Sequence, residues 1–488
     1  MMKKQQRKKK NLFYYMNTLI VFFLMFGFGY LPPFGTVTPL GMQAIGILLG
    51  LFYGWSLIEM AWPSILSFLA LAYWGAGTLT SYNTSGFGNN IVVMILFLFA
   101  FAYYLNVSGL TKYIAEWFIS RKIAVGRPYV LVYLIYFCCL ILTGLLTTPY
   151  PSMLFCWGII YEICESVGYP KKSPVVTMML GGVTIAGGYG AIFFPWAIMS
   201  VAYMGALENA MGLSANFVVL FITFASFGLL VLAIYNLTCK YLFKIDLSAL
   251  MKDGDRYSHL RSQKMTKEQK DAAGIMLFFI GSISLISVLP KTLPIVSLLN
   301  TWGVTGIAML VITVMAIIRS QNGAAAFDIQ TFLTKGVQWP IVLMLAATMP
   351  ISTLLESSEA GIMDWIIAQT VPTLSAFSPL LCITIVVIFL TFLTQLCHNL
   401  VLGVVFIPIF GPIMAQLGID PIIFGLALSM GLQTAFVSPA SAGQTAMLYA
   451  NTEWVRTADV YKFMITGFLI GVVILAGIYI PILMAVLN

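Results

Sequence analysis

The stretch TQLCHNLVLGVVFIP at 394–408 sets His398 and Asn399 inside an apolar region long enough to lie within a membrane. Burying an imidazole or a carboxamide in hydrocarbon costs several kcal/mol unless a partner satisfies it. Polar groups at that depth therefore face a cavity, a pathway or another helix.

Outward from this stretch the chain is apolar almost throughout. Of 488 residues 60% are hydrophobic and 9% charged, and the mean hydropathy is +0.95. No soluble domain of this size carries that balance. Apolar runs of about 17–25 residues, the length that crosses a bilayer, recur along the chain. The reading is an all-α polytopic membrane protein with about 11 transmembrane helices. It forms one membrane domain over 1–488, in two halves near 40–243 and 273–488, joined by a polar linker at 244–272. Lys3, Lys4, Arg7, Lys8, Lys9 and Lys10 supply six of the formal charge of +8, so nucleic-acid binding is not implied. The run after them has no small-residue cleavage site and passes into LPPFGTVTP at 31–39, as an uncleaved first span would. Further apolar stretches fall near 40–58, 60–75 and 88–108. The seven cysteines lack the paired spacings of a zinc or redox site and read as small buried hydrophobes, with Cys397 set apart by its neighbour His398.

Positive charge marks the cytoplasmic side. It gathers at the N-terminus, at Arg121, Lys122 and Arg127, at Lys171 and Lys172, and across 240–270. Between two of these clusters, 127–171 carries TGLLTTPYPS at its middle, and its second arm, 153–164, is too short to cross. A re-entrant hairpin entering from the cytoplasmic side is expected, preceded by an interfacial helix in TKYIAEWFISRKIAVGR at 111–127. The second half repeats the plan, with a span at 337–356, an interfacial helix at 363–379 and a second hairpin at 380–414. That hairpin has no Lys or Arg at its flanks and should enter from outside, while Arg319, Lys335, Arg456 and Lys462 keep their loops inside. The N-terminus is then cytoplasmic and the C-terminus outside, in a multi-pass cell membrane protein. Each hairpin precedes a Gly- or Pro-interrupted segment, GGVTIAGGYGAIFFPW within 179–203 and FVSPASAGQTAML within 422–449. Paired broken helices in inverted halves point to a transporter's binding site.

These pieces, with GYLPPFGTVTPLGMQAIGILL at 29–49 and WPIVLMLAATMPISTLLESSEAGIMDWI at 339–366, resemble the divalent anion/sodium symporter (DASS) family over most of 30–488. The resemblance implies a homodimeric elevator-type carrier of dicarboxylates, citrate or sulfate. It also implies a Ser-Asn-Thr tripeptide at each hairpin tip, holding sodium and substrate carboxylates. Here His398, Asn399 and Leu400 stand at the second tip, and Thr147, Thr148 and Pro149 at the first. Asparagine is kept once and the flanking hydroxyls are lost around it. In the second broken helix Ala435, Phe436, Pro439 and Ala446 follow the family, but Ala442 and Thr445 replace its Thr and Asn. In the first, Gly187 and Gly188 fit its glycine pair.

The expected substrate contacts are Thr147, Thr148, His398, Asn399, Ser441, Gln444 and Thr445. The expected ion contacts are Gly187, Gly188, Asn399, Pro439 and Ala442, with Na+ near Asn399 or H+ as the coupling ion. His398 either binds a carboxylate, takes a proton, or pairs with a neighbouring carbonyl. The partners expected are a small anion and the lipid membrane, with no cofactor and no nucleic acid. Cation symport and cation-independent or proton-coupled anion exchange both fit. An intramembrane enzyme would need acid, base or metal ligands gathered at one depth, and His259 lies in the polar linker. A channel remains the other rival, against which inverted hairpins favour alternating access.

Overall fold

The structure, a computed structural model, describes residues 12–75, 77–253, 264–290, 292–318, 327–439 and 441–487. The six N-terminal basic residues, His259 and Arg319 lie outside them. Among the described residues the regular structure is helical. The helices of the first half are α1 (Leu12–Phe26), α2 (Pro39–Leu57), α3 (Ala61–Tyr73), α4 (Leu79–Phe87), α5 (Asn90–Val107), α6 (Leu110–Ile119), α7 (Pro128–Leu146), α8 (Pro149–Val167), α9 (Pro174–Phe193), α10 (Ile198–Met211) and α11 (Phe217–Tyr241). After the linker come α12 (Lys267–Val288), α13 (Pro294–Ile317), α14 (Ile329–Lys335), α15 (Trp339–Glu356), α16 (Ile362–Leu374), α17 (Pro379–Leu393), α18 (Asn399–Gln416), α19 (Pro421–Leu432), α20 (Gly443–Ala450), α21 (Thr457–Ile474) and α22 (Ile480–Leu487). Among the described residues ten helices are long and apolar enough to cross a membrane, and four shorter apolar ones accompany them. Proline at the first turn starts α2, α7, α8, α9, α13, α15, α17 and α19, where its missing N–H leaves no bond unmade.

The helices group into two compact units, each drawing on both halves of the sequence. One comprises residues 1–92 and 338–373, the other 93–337 and 374–488. In the first, α3 and α4 pack on α15, and α2 packs on α1. The two stretches quoted for the family resemblance meet here. Thr36 donates to the carbonyl of Gly361 at 3.0 Å, Thr38 donates to that of Glu359 at 2.7 Å, and Phe34 packs edge-on against Trp365. α1 stops at Phe26, short of the expected span, because the chain turns at Gly27 and the prolines at 32 and 33 forbid resumption.

The second unit is built around α9, every residue of which from Val176 to Phe193 is buried. It packs against α7, α8, α10, α11, α20 and α21. The sequence reading set the first break within 179–203, at its glycines or its proline. α9 is unbroken through all its glycines, and the chain unwinds at 194–197, around Pro195 and ahead of α10, inside that segment. The glycines serve close approach: a Cβ on Gly182 would meet the Tyr136 ring, and one on Gly188 would meet Phe436. Gly187 and Gly188 therefore spend their backbone groups inside a helix and are not unwound ion ligands. The second break falls where expected, at 433–442 between α19 and α20.

Contacts fix the directions of these elements. Gly182 lies beside Tyr136, and Gly190 beside Leu140 and Thr143, so α7 rises alongside α9. Gly403 lies beside Tyr203, and Gly411 beside Leu207 and Met211, so α18 runs parallel to α10. Gly425 against Leu207 and Met204 sets α19 antiparallel to both. The hairpin α7–α8 thus enters from one end and the hairpin α17–α18 from the other, their tips pointing at the breaks. The arm α8 is 19 residues, longer than the expected 153–164, because Pro149 restarts the helix straight after the turn.

At the entry end of the first hairpin the basic loops converge. The Tyr129 hydroxyl donates to the carbonyl of Ile245, and Tyr169 to that of Asp246 at 3.2 Å. Lys171 pairs with Glu453 and sits 4.4 Å over the Trp454 ring, which stacks on Tyr161. The lysine holds the exposed Glu453 carboxyl below its ordinary range. The clusters at 127, 171, 240 and 456 thus share one end, as the charge pattern requires.

Gly182→Val should lower the thermal stability by about 1–3 kcal/mol through overpacking against Tyr136. Gly158→Ala, where a Cβ meets nothing within 4 Å, should be neutral or stabilising, and thermal unfolding in detergent compares the two.

Candidate functional site

The two tips and the two breaks come together in the second unit. Tip 1, at Thr147 and Thr148, packs through Pro149 and Met153 on Gly187 of α9, and the Tyr150 hydroxyl lies directly against Gly443 at the start of α20. Tip 2, at 394–398, reaches the same segment from the other side. The Asn399 amide donates to the carbonyl of Ser441 at 3.2 Å. Its carboxamide donates to Gln433 at 3.4 Å, and Gln433 donates to the Tyr203 hydroxyl at 3.2 Å. Phe436, within the second break, packs edge-on against Tyr189 of α9.

Tip 1 is strained and its hydroxyls are unspent. Thr147 closes α7 with φ +56°, the left-handed region that a β-branched residue rarely enters. Its side chain is 3% exposed, and its hydroxyl has no hydrogen-bond partner among the described residues. Five further buried hydroxyls among the described residues share that state, those of Ser56, Tyr82, Tyr189, Ser200 and Thr394; Thr394 ends α17 at tip 2, and Ser200 lies in the first turn of α10 beyond the first break. Buried polar groups are normally paired, so three orphans on converging elements mark the place where something else supplies the partner. Strain held at the same point is a second sign of function.

Tip 2 is better satisfied. His398 caps α18, its Nδ1 accepting from the Leu400 amide at 3.3 Å, while Asn399 Oδ1 accepts from the same amide at 2.9 Å. With Nδ1 accepting, the ring proton sits on Nε2, leaving a donor for a ligand. In the break, Ser441 donates to the carbonyl of Ser438 at 2.6 Å and Thr445 to that of Ala435 at 2.8 Å, so these two hydroxyls shape the loop. Pro439 is exposed, outside the buried set, and Ala442 is the buried residue before α20. The first turn of α20 has no side-chain cap, and Gln444 on it is 5% exposed. The amides of such a helix N-terminus favour an anion. No Asp, Glu, Lys or Arg lies in either tip or either break. Among the described residues no group of three or more His, Cys, Asp or Glu could hold a metal ion.

Of the sequence-expected residues, Thr147 and Thr148 belong to tip 1, and His398, Asn399, Ser441, Gln444 and Thr445 to tip 2 and the second break. Gly187 and Gly188 back them from α9. Gln395, Gln433, Tyr203, Ser200 and Thr394 were missed. Gln395 and Thr394 sit within the opening stretch itself, and a glutamine in an apolar run was the signal available. Gln433 and Tyr203 end or follow runs that read as ordinary helix, and only the fold brings them to Asn399.

The fold is similar to that of the YdaH transporter of Alcanivorax borkumensis, whose crystal structure is described as having an unusual topology. The likeness has a TM-score of 0.57, covers 84% of this chain and 90% of that one, and comes with 12% sequence identity. It is a likeness of fold. The sequence matches no protein-family profile and no curated protein.

Gln433→Leu should orphan both Asn399 and Tyr203 and cost about 1–3 kcal/mol, read as a lower unfolding temperature. Thr147→Gly should leave stability level or higher, since about 1 kcal/mol of strain is relieved against a similar entropic cost. It should at the same time shrink the stabilisation given by a bound anion. A destabilised Thr147→Gly protein with an unaltered anion response would make Thr147 structural only.

Proposed function

We propose that the protein is a secondary active transporter of small polyvalent anions, di- or tricarboxylates first and sulfate second, held between the two hairpin tips. The observation that carries this reading is the set of unpartnered buried hydroxyls on Thr147, Ser200 and Thr394, beside the N-terminus of α20, which has no side-chain cap, and the buried Gln444 on its first turn. Carboxylate oxygens are acceptors only, and each hydroxyl and the carboxamide of this set can donate to them. Asn399 and the His398 Nε2–H extend it from tip 2. With no cationic side chain nearby, the anion is held by hydrogen bonds and helix-end dipoles, as in carriers built on broken helices.

The oppositely entering hairpins support alternating access, with the substrate carried by an elevator movement of the unit that holds it. The resemblance to divalent anion/sodium symporters favours the same class and a homodimer, and the positive charge at one end of the second unit supports a cell membrane protein with its N-terminus inside. Two couplings fit: symport with Na+ or H+, and exchange of one anion for another. A neutral site must have its cargo's charge offset by one or the other.

Uptake of labelled succinate into proteoliposomes tests the reading. Accumulation should be saturable and should be competed by other dicarboxylates but not by monocarboxylates of equal size. No uptake of any polyvalent anion, under a sodium gradient, a proton gradient or internal anion, would refute it. Gln444→Leu should raise the KM about tenfold or more, the loss of a hydrogen bond to a charged ligand.

A further inference from the structure

Gln395 is the first residue after Thr394 at tip 2 and is 7% exposed. Both N–H groups of its carboxamide donate, one to the carbonyl of Thr391 and one to that of Thr434, each at 3.1 Å. Its oxygen accepts twice, from the amides of Phe436 at 3.2 Å and Val437 at 3.0 Å. All four hydrogen-bonding positions of the side chain are therefore filled. The orientation is fixed by the network, because the reversed carboxamide would set N–H against N–H and oxygen against carbonyl.

Three of these four partners belong to the unwound segment between α19 and α20. Four further carbonyls of that segment are taken as well. Ala435 accepts from Thr445, Val437 from the Tyr449 hydroxyl at 2.7 Å, Ser438 from Ser441, and Ser441 from the Asn399 amide. In a broken helix, such carbonyls are the groups that coordinate a coupling cation. The cavity on the outer side of Gln395 is apolar, lined by Phe389, Phe392, Val437 and Phe468 among others, and brings no charge to it.

We propose that Gln395 takes the place of a bound cation at the Thr434 carbonyl, while its oxygen holds the Phe436 and Val437 amides: a neutral, permanently attached group that satisfies the unwound backbone and binds it to tip 2. The break is then preformed, it travels with tip 2 as one body, and ion coupling does not run through this half of the site. This deepens the proposed anion transport and rests on it for its functional meaning. Gln395 is a positioning residue, acting on the anion through the segment that carries Gln444.

Hydrogen–deuterium exchange of the purified full chain, in sodium chloride and in choline chloride, tests the proposal at the peptide covering 433–442. The wild type should show the same slow exchange in both salts. Gln395→Leu should speed exchange of that peptide, leave peptides of α2 and α15 unchanged, and weaken succinate binding about tenfold or more. Gln395→Glu places a carboxylate oxygen against the Thr391 and Thr434 carbonyls, so it should regain slow exchange and succinate affinity only as sodium is added. Saturable protection of the wild-type peptide by sodium would overturn the proposal without any variant, and so would a Gln395→Leu protein that behaves as wild type. If exchange follows the prediction but no polyvalent anion binds, the transport reading fails while the account of the break stands.

Discussion

Backbone that leaves a helix inside a buried core must find partners for its N–H and C=O groups, and the segment 433–442 is where this chain meets that demand. An unpaired amide or carbonyl costs kilocalories in such surroundings. The partners come from three directions: Gln395 and Asn399 on tip 2, Thr445 and Tyr449 on α20, and Ser441 within the segment. Each partner also fixes a neighbour. Meeting one local requirement therefore aligns the second hairpin, the end of α19 and the start of α20. α9 completes the arrangement by passing close behind, which its glycines allow at Gly182 and Gly188.

The opposite treatment of the two tips gives the site its chemistry. At tip 2 and the second break most polar groups are held by internal bonds, with the Thr394 hydroxyl and the His398 Nε2–H left over. Tip 1 keeps Thr147 in a strained conformation with its hydroxyl unspent, and α20 opens with uncapped amides. A surface of unspent donors with no cation fits an anion whose charge is spread over several oxygens. The strain is retained because the surrounding helices α7, α8 and α9 hold the turn whether or not the residue favours it.

Much of this was legible in the sequence, for physical reasons. Hydrophobicity and the spacing of Lys and Arg are long-range signals, and they located the two hairpins and the shared basic end. Pro149 marked tip 1, since proline straight after a turn readily begins a helix. Glycine was read less well. In α9 it was taken as a helix breaker, although helical glycine and unwound glycine look alike until the packing partner is known, and here that partner is Tyr136 or Phe436. Asn399 was legible as a polar residue in an apolar run. Gln433 and Tyr203 were not, because they lie 230 residues apart and only the antiparallel course of α10 and α19 joins them. Family likeness drew attention to Asn399 and His398 and away from Gln395, three positions before His398 and holding more of the structure.

The central claim, that one anion is held between the two hairpin tips and the second break, is tested most directly by thiol protection. In a Cys397→Ser background, whose remaining cysteines are buried, single cysteines are placed at Thr148→Cys and Ser438→Cys and labelled with a water-soluble thiol reagent. Succinate should slow labelling at both positions with the same half-effective concentration. Protection at only one position, or half-effective concentrations that differ between the two, would contradict a shared site.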